Sequence, residues 1–77
     1  MKYTQYFLVT REREDRKDIE LEWIEYVFNN PVSEVVQTDG RLKRWAYIDK
    51  MQKYLRIIIL EDKETIHNAF FDRNFKI

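Results

Sequence analysis

The sequence predicts an α+β domain in which two N-terminal helices pack on one face of a four-stranded antiparallel sheet. Three observations lead to this fold. Residues 18–30 repeat apolar side chains with the 3.6-residue period of a helix, whereas residues 33–71 contain four short segments rich in β-branched and aromatic residues. Short polar turns separate these segments, and strands joined by short turns are normally antiparallel neighbours.

The first helix is predicted within residues 4–13, where the sequence allows two interpretations. This segment is either a short helix capped by Thr4 or a first strand. The spacing of Phe7 with Arg11, and of Leu8 with Glu12, places each pair on the same side of a helix and therefore favours the helix.

The second helix is predicted over residues 18–30. Asp18 is the expected N-cap, and the acidic residues that follow it complement the helix dipole. Asn30 and Pro31 end the helix, because a residue before proline is driven out of the helical conformation. Its apolar face consists of Ile19, Trp23, Ile24, Val27 and Phe28.

Four strands are predicted after Pro31. Asp39-Gly40 joins the first two, because this dipeptide readily supplies the two positive-φ residues of a tight hairpin turn. The third strand is the clearest, with three consecutive isoleucines. The predicted strands cover residues 33–38, 42–49, 53–60 and 65–71.

The chain is short enough to form one domain over residues 1–77. It contains one Gly, one Pro and 16% aromatic residues, which is typical of a folded domain rather than a disordered segment. No apolar run approaches the roughly 20 residues that span a bilayer, and the N-terminus does not resemble a signal peptide. We therefore expect a cytoplasmic protein that does not enter the membrane.

The composition excludes several kinds of site. Without cysteine the chain has no disulfide, thiolate nucleophile or zinc–thiolate site, and a single histidine excludes a histidine-rich metal site within one chain. Glycine-rich nucleotide-binding motifs, the serine-hydrolase motif and the zinc-protease motif are absent. We predict neither a metal nor a cofactor.

Arg56 is the most informative candidate. Side chains alternate along a strand, so Leu55, Ile57 and Ile59 belong under the helices, whereas Tyr54 and Arg56 point to the open face. The structural interpretation is a solvated arginine or one paired with a glutamate. The functional interpretation is a clamp for phosphate, since a guanidinium donates in a planar bidentate fork.

Two further residues carry alternative interpretations. His67 lies within the fourth predicted strand and is either a hydrogen-bonded structural residue or a general acid or base, because an imidazole exchanges protons near neutral pH. Arg73 follows that strand and is either a surface partner of Asp72 or of the C-terminal carboxylate, or a second cation for phosphate.

A basic segment follows the predicted hairpin turn. Residues 1–39 carry five basic and nine acidic residues, whereas residues 40–77 carry nine and five, so the second half has a net charge of +4. Cations interleaved with an aromatic ring suit an RNA strand, although a tryptophan in a strand is more often a core residue than a stacking platform. The predicted RNA-binding residues are Arg41, Lys43, Arg44 and Trp45.

Several short motifs occur in a recognisable order. Arg13, Lys17 and Ile19 form an R-x-x-x-R/K-x-I step, followed by a helix ending in Asn-Pro, a DGR hairpin and a YLRIII strand. This order, over most of the chain, resembles small bacterial proteins of an uncharacterised family related to the BrnT and RelE/ParE toxins of type II toxin–antitoxin systems. The related toxins often have a histidine four residues before the arginine matched by Arg13, where this chain has Val9.

The resemblance implies a RelE-like fold and a toxin that pairs with a small antitoxin encoded nearby. It also implies cleavage of mRNA, free or on the ribosome, and inhibition of translation. By this analogy Arg56 stabilises the pentacoordinate phosphate and Arg73 is the second arginine. His67 and Tyr54 are added as the residues that can transfer protons. The candidate catalytic residues are therefore Arg56, His67, Tyr54 and Arg73.

ParE-like members share the fold without being nucleases, so the fold alone does not settle the activity. The alternative function is a non-catalytic interaction module, either a homo-oligomer or the partner of a small acidic protein. The small core and the high aromatic content favour this alternative, because a domain of this size often completes its core by pairing.

Overall fold

The chain folds into a five-stranded mixed sheet with two helices on one of its faces, as a computed structural model describes for residues 1–76. The α+β class and the two helices agree with the sequence prediction. The strand order in the sheet is β1-β5-β4-β3-β2. The elements are β1 (Lys2–Tyr3), α1 (Gln5–Thr10), α2 (Leu21–Asn29), β2 (Ser33–Val36), β3 (Leu42–Ile48), β4 (Lys53–Ile59) and β5 (Thr65–Phe71).

The prediction of a four-stranded, purely antiparallel sheet is wrong, because β1 adds a fifth strand that runs parallel to β5. Tyr3 pairs with Ile66, and the backbone N–H of Thr4 donates to the carbonyl of Ile66 at 3.0 Å. A strand of two residues has no period by which it can be recognised. Only its pairing with β5 reveals it.

The helix predicted after Thr4 is confirmed, with Thr4 as its cap. The Thr4 side-chain oxygen accepts a hydrogen bond from the N–H of Phe7 at 3.0 Å, which satisfies one of the free donors at the helix start. The helix ends at Thr10, and residues 11–18 continue as a series of turns. In the part of the chain that the structure describes, neither helix is long and apolar enough to cross a membrane.

The second helix starts later than predicted. Its N-cap is Glu20, whose side chain makes no capping hydrogen bond, so the prediction that Asp18 caps the helix is wrong. Ile19 is buried but lies outside the helix, where it packs into the core from the preceding loop. The end of the helix before Pro31 agrees with the prediction.

The antiparallel meander of β2, β3, β4 and β5 is confirmed, but its first turn differs from the prediction. Within this turn only Gly40 has a positive φ, of 89°. The predicted turn needs a positive φ at Asp39 as well. The N–H of Gly40 donates to the carbonyl of Gln37, and the N–H of Gln37 donates to the carbonyl of Arg41. This pattern is a three-residue hairpin loop that closes with a glycine bulge.

The core lies between the helices and one face of the sheet. Leu55, Ile57 and Ile59 point under the helices and are fully buried, as strand alternation predicts. Ile24 and Val27 of α2 pack against them. The opposite face of the sheet, which carries Arg56, is called the open face below.

Candidate functional site

Arg56 lies at the centre of the open face. It pairs in register with Trp45 on β3 and Phe70 on β5. The guanidinium carbon lies 4.2 Å from the centroid of the Phe70 ring and 6.0 Å from that of Trp45, so the cation lies against aromatic rings on both sides. Its side chain is 22% exposed.

The acidic partner of Arg56 is Asp72, not a glutamate. Arg56 Nε lies 3.7 Å from Asp72 Oδ2, and the same oxygen accepts a hydrogen bond from Trp45 Nε1 at 3.0 Å. The Trp45 hydrogen bond, assisted by the charge of Arg56, lowers the pKa of Asp72 below its usual value. The Nε of Arg56 is buried and has no hydrogen-bond partner within residues 1–76.

The C-terminal segment covers part of this surface. The Phe75 ring stacks on Trp45 with centroids 4.7 Å apart and meets Tyr54 edge-on at 4.9 Å. Trp45 is therefore buried, and Phe75 lies on a ring face that the sequence analysis assigned to RNA stacking. We call Trp45, Tyr54, Arg56, Phe70, Asp72 and Phe75 the open-face cluster.

His67 lies at a bulge in β5, where the register with β4 shifts between Ile58 and Ile59. Its Nδ1 is 3.1 Å from the hydroxyl of Thr4, and its ring stacks on Tyr6 with centroids 4.7 Å apart. Burial, together with the charge of Arg41, lowers the pKa of His67. The imidazole is therefore neutral at pH 7.

The structure brings together Tyr54 and Arg56 but separates His67 from them. Arg56 is opposite Phe70, which lies three residues after His67 on β5. At about 3.3 Å per strand residue, His67 is roughly 10 Å along the sheet from the level of Arg56. Tyr54 lies two residues from Arg56 in the other direction. The four candidate catalytic residues therefore form a stripe rather than a single constellation.

Strand alternation divides the predicted RNA-binding residues between the two faces of the sheet. Lys43 pairs with Ile58 and lies on the face of Arg56, whereas Arg44 pairs with Ile57 and points to the helices. Arg44 donates to the carbonyl of Phe28 at the end of α2 and forms an ion pair with Glu34. These contacts hold Arg44 in a structural position, away from the open face.

Arg41 lies immediately before β3. Its Nε is 3.6 Å from the carboxylate of Asp39 in the preceding turn, and its side chain is 37% exposed. Since side chains alternate, Arg41 shares the face of Lys43, two residues further along. The open face therefore keeps two of the three predicted basic residues.

Two basic residues that the sequence did not indicate contact aromatic rings at the end of β5. Phe70 lies on the open face, whereas Lys53 and Phe71 share the opposite face with Leu55. Arg16 lies over the Phe70 ring, with its guanidinium carbon 5.1 Å from the centroid, and Lys53 lies 5.5 Å from the Phe71 ring. Arg16 occurs in the segment REREDRK, whose alternating charges are typical of a solvated surface. No periodic pattern there could have indicated its contact with β5.

Arg73 lies two residues after the end of β5 and is exposed. Of the two ion-pair partners expected for Arg73, Asp72 is not used, because its carboxylate is directed to Trp45 and Arg56. The other, the C-terminal carboxylate, lies outside the described residues. Arg73 instead lines the surface next to Lys53 and Phe71.

No family model, curated protein or solved structure matches this chain.

Proposed function

We propose that this protein is the toxin of a type II toxin–antitoxin module and acts on RNA through the open face of its sheet. The observation that carries the proposal is the environment of Arg56. This cation lies on aromatic rings, keeps 22% of its side chain exposed, and stands next to Tyr54. A guanidinium beside aromatic side chains suits a phosphate with its attached base.

Cleavage of the RNA needs a base for the 2′-hydroxyl proton, an acid for the leaving 5′-oxygen and a cation for the phosphorane. Arg56 serves as the cation. The neutral imidazole of His67 can accept a proton, whereas Tyr54 is the proton carrier closer to Arg56 along the sheet. We therefore assign phosphate binding to Arg56. Tyr54 and His67 are the two candidates for proton transfer, and substituting each in turn distinguishes between them.

The first experiment is expression of the chain in bacteria, alone and with the small protein encoded by the adjacent gene. We expect wild type to arrest growth and the adjacent protein to relieve the arrest. Arg56→Gln should abolish the arrest, whereas Lys50→Gln, in the exposed turn after β3, should not alter it. Arg56→Lys keeps the charge but loses the bidentate fork and should give an intermediate effect.

RNA extracted during the arrest distinguishes binding from cleavage. If the protein is a ribonuclease, new RNA 5′-ends accumulate with wild type and disappear with Tyr54→Phe or His67→Gln. Arrest without new ends assigns the effect to RNA binding. Normal growth with wild type, or equal arrest by a folded Arg56→Gln variant, would contradict the proposal.

A second function, a non-catalytic interaction module, is favoured by the edge strand β2. Among the residues that the structure describes, this strand pairs only with β3, and three valines on or beside it are exposed: Val32 is 54%, Val35 47% and Val36 65% exposed. An apolar edge strand is a ready template for pairing with another chain. A second copy or a small acidic partner would add a strand there.

Light scattering with size-exclusion chromatography tests this second function. We expect a dimer, or a complex with the product of the adjacent gene. Val36→Lys should disrupt it, because a lysine on an edge strand opposes further pairing. A wild-type monomer that does not bind the adjacent gene product would reject the interaction module.

A further inference from the structure

A basic groove lies where β5 ends, between the loop that follows α1 and the start of β4. Three cations and one carboxylate line it, so its local charge is net positive. Lys53 and Arg73 are exposed there. We call the lining residues Asp15, Arg16, Lys53, Phe70, Phe71 and Arg73 the β5-end groove.

Arg16 is the least exposed cation of this groove, with 15% of its side chain accessible. Its Nη1 donates to Asn68 Oδ1 at 2.8 Å, which fixes the guanidinium against the Phe70 ring. Its Nε is buried without a hydrogen-bond partner within residues 1–76, because Asp15 Oδ2, at 3.9 Å, is too far to accept one. Because this Nε is buried, an anion can reach Arg16 only at the part of its side chain that remains exposed, which these contacts hold in place.

The β5-end groove is continuous with the open-face cluster. A neighbouring depression shares Lys53, Phe71 and Arg73 with the groove and extends to Tyr54 and Asp72. The Phe70 ring provides a second connection, since it contacts Arg16 in the groove and Arg56 on the open face. An extended ligand can therefore pass from one to the other.

We propose that the β5-end groove binds the phosphodiester backbone of single-stranded RNA and leads the strand to Arg56. Arg16, Lys53 and Arg73 contact successive phosphates. Arg16 lies over the Phe70 ring and Lys53 over the Phe71 ring. A cation beside an aromatic ring favours RNA over an acidic peptide, because a phosphate can meet the cation while the attached base meets the ring. This inference rests on the RNA-binding function proposed above.

The test measures how salt weakens binding of a fluorescein-labelled 12-nucleotide oligouridine to the full chain, by fluorescence anisotropy. Removing one cation that binds a phosphate should reduce the slope of log K against log salt concentration by about 0.7. Lys53→Gln and Arg73→Gln should each show this decrease, and the double variant about twice as much. Arg73→Lys keeps the charge and should retain the wild-type slope.

The matched control is Lys63→Gln, which removes an exposed charge in the turn at the other end of β4. This position lies beyond the far end of β4, about 20 Å from Lys53, because β4 rises about 3.3 Å at each step from Lys53 to Ile59. Its sequence neighbours are acidic, so the slope should not change. Thermal unfolding of each variant confirms that it is folded.

Three outcomes would overturn the inference, and they are distinguishable. In the first outcome, wild type binds the oligouridine, Arg56→Gln binds it weakly, and the double variant of Lys53 and Arg73 keeps the wild-type slope. The groove is then rejected, while RNA binding at Arg56 stands. If wild type does not bind the oligouridine, both proposals fail. If polyglutamate of equal length displaces the RNA at equal concentration, the groove binds acidic protein instead.

Discussion

Replacing Asp72 by asparagine tests the open-face cluster most directly. The carboxylate accepts the Trp45 N–H at 3.0 Å, lies 3.7 Å from Arg56 Nε and is 13% exposed. Asp72→Asn preserves the size of the side chain and an oxygen that can accept the same hydrogen bond. It removes the negative charge and the second acceptor, Asp72 Oδ1, which accepts the N–H of Asn74 at 3.1 Å. The Asn74 bond is exposed, so water can replace it and its loss adds little to the cost.

The expected loss of stability at pH 7 is about 1–2 kcal/mol. A hydrogen bond to a charged group contributes about 1.5–3 kcal/mol and a neutral one about 0.5–1.5 kcal/mol, so the weakened Trp45 bond costs about 1 kcal/mol. The partly exposed pair with Arg56 adds no more than about 1 kcal/mol. For a domain of this size, the sum lowers the Tm by roughly 4–15 °C.

Urea unfolding followed by tryptophan fluorescence measures this loss, with Asp49→Asn in an exposed turn as the control. Because the pKa of Asp72 is lowered in the folded state, its charge stabilises the protein above the unfolded pKa of about 3.9. This contribution disappears as the pH falls through the folded-state pKa. Variant and wild type should therefore converge in acid. A variant within about 0.3 kcal/mol of wild type at pH 7 would refute the reasoning.

Three further predictions follow from particular contacts. Thr4→Ala removes the cap of α1 and should cost about 0.5–2 kcal/mol in the free energy of urea unfolding, whereas Thr4→Ser should keep most of it. Lys63 has a φ of 66°, which a glycine adopts at lower cost than a lysine. Lys63→Gly should therefore stabilise the fold by up to about 1 kcal/mol and raise the Tm, and a destabilised variant would contradict this. Because the folded pKa of His67 is lowered, stability should decrease as the pH falls below about 6.5, and His67→Gln should flatten that decrease in urea titrations from pH 7.5 to 5.

Local patterns in the sequence were sufficient to predict much of the fold. The helical period, the cap at Thr4, the proline after α2 and the β-branched segments depend only on neighbouring residues, and the structure agrees with each of them. Alternation along β4 also placed Arg56 opposite the core, since a strand exposes alternate side chains whatever it pairs with. The same alternation separates Lys43 from Arg44, so the different faces of these two residues could have been read from the sequence.

The contacts that define the candidate site depend on the tertiary structure. Trp45 meets Asp72 from 27 residues away, Arg16 meets Asn68 from 52, and Thr4 meets His67 from 63. Each of these contacts depends on the path of a loop or terminal segment that has no periodic pattern, and so does the pairing of β1 with β5. The sequence by itself thus determined the presence of two helices and of the four strands of the meander, and which face of β4 carries Arg56, but neither β1 nor the start of α2. The tertiary structure alone decided which side chains surround Arg56, because long-range packing places them there.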